Sequence, residues 1–166
     1  MLIGGLKMCA NPSETAIPAQ IGRIHLTIPG DPQPAERARR GQRGNWYTPT
    51  RTVDYRERVK WAWRQARHEP LHTQPLTASA RFYFKRPRNH YRLGRNAHLL
   101  TPKAQELLPP GDLDNLLKGL LDALNTLAYH DDTQIVCLSG VHKHWTTDEP
   151  RTELDLWPAT TFRSAA

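Results

Sequence analysis

Four stretches of this chain set apolar residues at every second position, the spacing of strands with one buried face. Ile24, Leu26 and Ile28 alternate within 21–29, and Pro29-Gly30-Asp31-Pro32 ends that run. Ala78, Ala80, Phe82 and Phe84 alternate within 76–84, and Ile135, Cys137 and Val141 interleave with Val136 and Leu138 within 134–145. Thr152, Leu154, Leu156 and Pro158 alternate with Glu153, Asp155 and Trp157, which suits an antiparallel last strand after the turn at 146–150. Two stretches follow the helical period instead. Tyr55, Val59, Ala62 and Ala66 share one face of 53–68. Leu116, Leu117, Leu120, Leu121, Leu124 and Leu127 form an apolar stripe opposite Asp114, Lys118 and Asp122.

The intervening segments are irregular. Residues 1–20, with Pro12, Ser13 and Pro18, predict a disordered N-terminal tail, and 159–166 a C-terminal one. The folded unit is then 21–158, one domain, a size that supports a real hydrophobic core. The 34–52 loop carries Arg37, Arg39, Arg40, Arg43 and Arg51 interleaved with Trp46 and Tyr47. The 85–110 loop is basic and broken by Pro87, Gly94, Pro102, Pro109 and Pro110; loops of this length are usually functional or disordered. The remaining tryptophans, Trp61, Trp63, Trp145 and Trp157, read as core or sheet-face residues.

Charge sharpens the picture. Residues 1–110 hold 19 Lys and Arg against 7 Asp and Glu, or +12, whereas 111–166 hold 4 against 9, or −5, together the formal +7. A basic body predicts a polyanionic partner, because cationic side chains displace the counterions condensed on phosphates. No apolar run approaches the ~20 residues of a membrane span. Cys9 and Cys137 make neither a disulfide framework nor a metal-ligand pattern, so a cytoplasmic location is expected. No P-loop or dinucleotide fingerprint appears, and no nucleotide cofactor is expected.

The candidate chemistry lies where the charge reverses: Asp112-Leu-Asp114-Asn115, then Lys118, Asp122 and Asp131-Asp132. Carboxylates packed beside a polyanion repel it unless a divalent cation lies between. Mg²⁺ favours such hard oxygens and supplies the charge neutralisation that phosphodiester hydrolysis requires. In an extended segment Asp112 and Asp114 would point the same way, toward one ion. Lys118, one helical turn after Asp114, would stabilise phosphate charge. The bland alternative makes Asp114 a helix cap, Lys118–Asp122 a surface pair and Asp131-Asp132 a solvated turn. His142 and His144 share a strand face but offer only two ligands, and His130 reads as an exposed turn residue. Arginines of 37–43 and 86–95, with Trp46, Tyr47 and Tyr91, suit contact with phosphates and bases.

Asp112-Leu-Asp114-Asn115-Leu-Leu-Lys118-Gly-Leu-Leu-Asp122, followed by Tyr129-His-Asp131-Asp132-Thr-Gln134, resembles the signature of RusA-type Holliday-junction resolvases over roughly residues 21–157. The resemblance implies an α+β fold with a small mixed sheet, and a homodimer that nicks opposing strands of a four-way junction. It further implies Mg²⁺, with Mn²⁺ as an alternative, held by Asp112, Asp114 and Asp132, with Asp131 in support and Lys118 as the catalytic lysine. Arg86, Arg88, Tyr91, Arg92 and Arg95 would contact DNA. Lys143 and the Glu149–Thr152 turn also fall where relatives have counterparts. Pro109-Pro110-Gly111 replaces the basic pair that many members carry before the first aspartate. Two rival functions remain: a non-catalytic DNA-binding protein, and a nuclease for flaps or replication forks.

Overall fold

A computed structural model of the protein describes residues 7–8, 22–42, 44–66, 68–71 and 74–159. Its centre is a mixed sheet of four long strands: β2 (Ile24–Pro29), β5 (Leu76–Lys85), β6 (Ile135–Thr146) and β7 (Arg151–Pro158). In space they run β6-β5-β7-β2, with β5 and β6 parallel and the other pairings antiparallel. A two-residue strand, β1 (Lys7–Met8), joins the outer edge of β6 in parallel. The rest of the tail expected over 1–20 lies outside the described residues, as does most of the 159–166 tail. A separate hairpin pairs β3 (Arg39–Arg40) with β4 (Trp46–Tyr47). The α+β reading holds, with helices α1 (Thr50–Ala66) and α3 (Leu113–Leu124) and a short α2 (Pro102–Glu106).

Alternation along the strands divides the sheet into two unlike faces. Ile24, Leu26, Ile28, Ala78, Ala80, Phe82, Leu154 and Leu156 face the helices and form one core with Tyr55, Val59 and Trp63 of α1 and the leucines of α3. Gly140, at φ 87°, sits where the β5–β6 register shifts, so Leu138 and Val141 both reach the core side. Tyr55 also shares a buried hydrogen bond with Thr152 across 3.1 Å, tying α1 to β7. Burial, only partly offset by that bond and by Arg58, pushes the Tyr55 hydroxyl up to about 12.

The opposite face is polar. Its centre is Asp155, whose side chain is 5% exposed and takes contacts from His25 Nδ1 at 2.8 Å, Arg81 Nη2 at 3.1 Å and Arg23 Nη2 at 3.2 Å. Burial alone would raise Asp155; the hydrogen bonds from His25 and Arg23 and the charges of Arg23 and Arg81 outweigh it and lower its pKa. Arg81 and Arg151 likewise bracket Glu153, and Arg151 lies 4.1 Å from the centre of the Tyr83 ring.

Three details go beyond the sequence reading. The 85–110 loop, whose order the sequence leaves open, holds 3₁₀ turns at Arg88–His90 and Gly94–Asn96 as well as α2. Trp61 is 56% exposed on the outer side of α1, so only Trp63 of that pair joins the core. Cys137 is disulfide-bonded, a pairing that two cysteines without framework spacing do not announce.

Two outcomes test this description. Leu120 is fully buried within α3, and Leu120→Ala is expected to lower unfolding free energy by about 2–5 kcal/mol, measured by urea denaturation. A loss below about 1 kcal/mol would contradict its place in the core. Because the native pKa of Asp155 is depressed, its stabilising effect is present above its ordinary pKa of roughly 3.9 and disappears as pH falls through the native value. Asp155→Asn should therefore destabilise the protein near neutrality and flatten its stability profile below about pH 4, read from denaturation midpoints.

Candidate active site

The acidic segment is placed by the start of α3. Gly111, at φ 79°, turns the chain out of Pro109-Pro110, and Asp112 takes an extended conformation as the N-cap. Its carboxylate makes no capping bond; it is exposed and receives Asn115 Nδ2 at 3.4 Å. Asp114 already lies in the first helical turn, so the expected extended pairing of Asp112 with Asp114 is replaced by a cap and a helical residue. Lys143 of β6 donates from Nζ to Gly111 O at 2.7 Å, which holds the backbone immediately before Asp112.

Burial of Leu116, Leu117, Leu120, Leu121 and Leu124 turns Asp114, Lys118 and Asp122 outward along one ridge. The third side of α3 is covered by the chain at 33–35. Ala35 N donates to Asn115 O at 2.8 Å, and a Cβ on Gly119 would meet Ala35 N at 3.1 Å and Gln33 O at 3.3 Å. That close approach explains a glycine inside the helix. Asp122, half-buried, ion-pairs with Arg56 of α1 at 3.5 Å.

After α3 the chain turns sharply: Thr126 adopts φ 65°, a strained value for a β-branched residue. Tyr129 is buried and donates to Leu121 O at 2.7 Å, anchoring the turn to the helix. Burial, then the charges of Asp132, Asp122 and Asp131, pushes its hydroxyl pKa up. Asp131 caps the 3₁₀ turn Asp132–Gln134 by accepting from Thr133 N at 2.9 Å. Gln134 accepts from His130 N at 2.7 Å and donates to Leu71 O and Gln74 O, both at 3.0 Å. It thereby fastens the aspartate turn to the chain entering β5.

The two aspartates of this turn are driven apart in acidity. Hydrogen bonds from Thr133 lower Asp131. Partial burial first, then the negative charges of Asp131 and Asp122, raises Asp132. Asp122, Asp131 and Asp132 therefore form one electrostatic group at the C-terminal half of α3. Asp112 and Asp114 lie toward its other end, with Asp114 eight residues, roughly 12 Å of helix axis, from Asp122. Among the described residues no three His, Cys, Asp or Glu side chains gather closely enough to hold a metal ion. The donor chemistry nonetheless fits a hard divalent cation. Mg²⁺ is commonly held by one or two carboxylates together with substrate phosphate rather than by an all-protein cage. Burial first and then the charges of Asp131 and Asp122 raise Asp132, and a cation there would offset the second of these.

Residues expected to contact DNA divide into two kinds. Arg86 is occupied within the protein: its guanidinium lies 5.1 Å from the Trp145 ring centre and donates to Ala104 O at 2.9 Å, clasping the loop to β6. Trp145 Nε1 also donates to Leu107 O at 2.8 Å. Arg88, Arg92 and Arg95 are exposed, Arg92 donating to Leu100 O at 3.3 Å, while Tyr91 is half-buried in a bridge to Leu100. His142 and His144 stack with ring centres 5.8 Å apart on the polar face of the sheet. Lys143, Arg56 and Gln134 have structural roles at the site that sequence spacing does not announce, because their partners are distant in the chain.

The chain is similar to known proteins over most of its described length. The chain is 32% identical over 138 residues to the uncharacterized protein YqaN of Bacillus subtilis (strain 168), covering 79% of this chain and 93% of that one. The family model for the endodeoxyribonuclease RusA matches residues 29–156, from the end of β2 through most of β7, and so includes every aspartate of the ridge and the following turn. The chain therefore belongs to the RusA endodeoxyribonuclease family, nucleases that act on branched DNA and depend on a divalent metal.

Proposed function

We propose that this protein is a Mg²⁺-dependent endodeoxyribonuclease that resolves four-way DNA junctions by paired, symmetric nicks. The observation that carries the reading is the exposed ridge of α3 with Asp114, Lys118 and Asp122, capped by Asp112 and followed by the Asp131-Asp132 turn, in a protein of net charge +7. Asp112, Asp114 and Asp132 are the carboxylates offered to a metal, one or two at a time with substrate phosphate completing its shell; when bound, the metal supplies an activated water and neutralises charge on the phosphate. Asp131 keeps the aspartate turn in shape through its cap on Thr133. Lys118, exposed on the ridge between Asp114 and Asp122, places a cation where charge develops on a phosphate oxygen. Arg88, Arg92 and Arg95 hold the DNA backbone. Two copies related by a two-fold axis would present two such sites to the matching symmetry of a junction. Mn²⁺ shares the ligand preference and is expected to substitute.

Purified protein and a labelled four-way junction test the proposal directly. Wild type is expected to cut in Mg²⁺ and to be silent in EDTA. Asp132→Asn should reduce the cleavage rate by at least about 10²-fold, the scale of losing one charge-stabilising group, while junction affinity stays the same or tightens. Comparable nicking by Asp132→Asn and wild type would remove the role assigned to this carboxylate. Junction affinity should fall steeply as salt rises, since binding releases counterions. A flap or fork cut in preference to the junction would move the activity to the rival nuclease reading; no cutting of any branched DNA would leave a binding protein.

A further inference from the structure

The 37–47 hairpin is not used by the site chemistry, yet it is the most exposed aromatic feature among the described residues. Trp46 is 70% exposed and Tyr47 48%, on a two-strand ribbon whose partner positions are Arg40 and Arg39. Directly paired residues of an antiparallel ribbon share a face, so each aromatic ring stands beside an arginine. Burying an indole is among the larger apolar gains available to a side chain, so its presentation to water on a basic ribbon calls for a partner. Its described turn residues are held by Gly41 N donating to Asn45 O at 2.7 Å and Gly44 N to Gly41 O at 2.9 Å, with Gly44 at φ 79°.

Its position joins it to the acidic ridge. The irregular segment leading into the hairpin is docked on α3 through Ala35 N to Asn115 O, one residue past Asp114, and through the close passage over Gly119. The strand leaving it runs directly into α1, which carries Arg56, the partner of Asp122. Arg58 fixes the base of the excursion by donating to Pro29 O at 3.3 Å and Asp31 O at 3.1 Å. The segment entering the hairpin is therefore anchored on the helix that carries the ridge, and the segment leaving it on α1.

We propose that Trp46 is a branch-recognition residue: it stacks on the face of a base left without a stacking neighbour at the point of strand exchange, while Arg40 beside it meets the adjoining phosphate. This rests on the reading of branched DNA as the substrate. The occupant is set by chemistry: arginines select a polyanion, and an indole flanked by them offers a π-face to a base rather than an apolar pocket to a protein. A continuous duplex keeps its bases stacked on both sides and presents no free face within its length. Trp46 therefore contributes selectivity for the branch rather than general affinity.

The test is equilibrium binding by fluorescence anisotropy in EDTA, comparing a four-way junction with a linear duplex of the same arm sequence. Trp46→Ala is expected to weaken junction binding by about 5- to 150-fold, the range for loss of one base–aromatic stack, and to change duplex binding less than about twofold. Trp46→Phe, which keeps a π-face, should recover most of the loss. Arg40→Gln should weaken binding to both DNAs alike and reduce the salt dependence by about one counterion. Because Trp46 is exposed, unchanged thermal melting of the variants is expected and excludes misfolding. Unaltered junction affinity in Trp46→Ala, or an equal loss on both DNAs, overturns the proposal. Cleavage does not enter this measurement. A protein that selects the junction through Trp46 but never cuts would sink the nuclease reading and leave this one standing; the reverse result would do the opposite.

Discussion

The site depends on burial of the leucine stripe of α3. Leu116, Leu117, Leu120, Leu121 and Leu124 lie in the core, and each such side chain contributes about 1.5–3 kcal/mol when removed from water. Their sum fixes the helix's rotation about its axis. A slip of one residue would turn the helix by roughly 100° and carry leucines into solvent. With that rotation fixed, Asp114, Lys118 and Asp122 have only the outward face to occupy. Gly119 closes the remaining freedom, since the backbone at Gln33 and Ala35 passes where any side chain would stand. The ridge is thus aimed by apolar packing and by one close backbone crossing, not by the charges it carries.

Two acidic groups in one small protein show opposite treatment. Asp155, on the polar face of the sheet, is enclosed by Arg23, Arg81 and His25 and is correspondingly more acidic. Asp132, at the end of the ridge, is made less acidic first by partial burial and then by its charged neighbours Asp131 and Asp122. Arg56 is the cation paired there, and it is engaged with Asp122. A chain with 23 Lys and Arg has basic residues enough to neutralise both groups. Neutralising the sheet cluster from within while leaving the ridge cluster in excess is what a protein requires if an external cation is to be drawn to the ridge. Structural ion pairs stabilise a fold; an uncompensated group at a helix end stabilises nothing until something binds.

Much of this arrangement was legible along the chain. Period-two alternation marked all four long strands to within three residues, and the leucine spacing identified both the buried and the exposed side of α3. Sequence pattern was less informative where tertiary contacts decide. Arg86 reads as a DNA ligand by composition, yet Trp145 and Ala104 O engage it, and neither neighbour is near in the chain. Gln134 looks like an ordinary turn residue until Leu71 and Gln74 come within reach of its amide. Trp61 and Trp63 cannot be ranked by type, because two residues apart on a helix they face nearly opposite ways and only one meets the sheet. The start of α3 was available in principle: Pro-Pro-Gly followed by aspartate is a stop and a cap, which sets Asp112 outside the helix and Asp114 within it.

That last distinction bears on the chemistry. Were Asp112 and Asp114 in an extended segment, both would face one ion. In the observed geometry the acidic groups are strung along about 12 Å of helix, with Lys118 between Asp114 and Asp122. Such a ridge is as long as the rise of three to four nucleotides of one strand, at roughly 3.4 Å each. A strand laid along it would bring a phosphate to Lys118 and set neighbouring phosphates against carboxylates. Those encounters are repulsive unless cations intervene, and a cation there would draw its oxygens partly from the protein and partly from the DNA. Metal binding and substrate binding then become mutually dependent: each stabilises the other, and neither is complete alone.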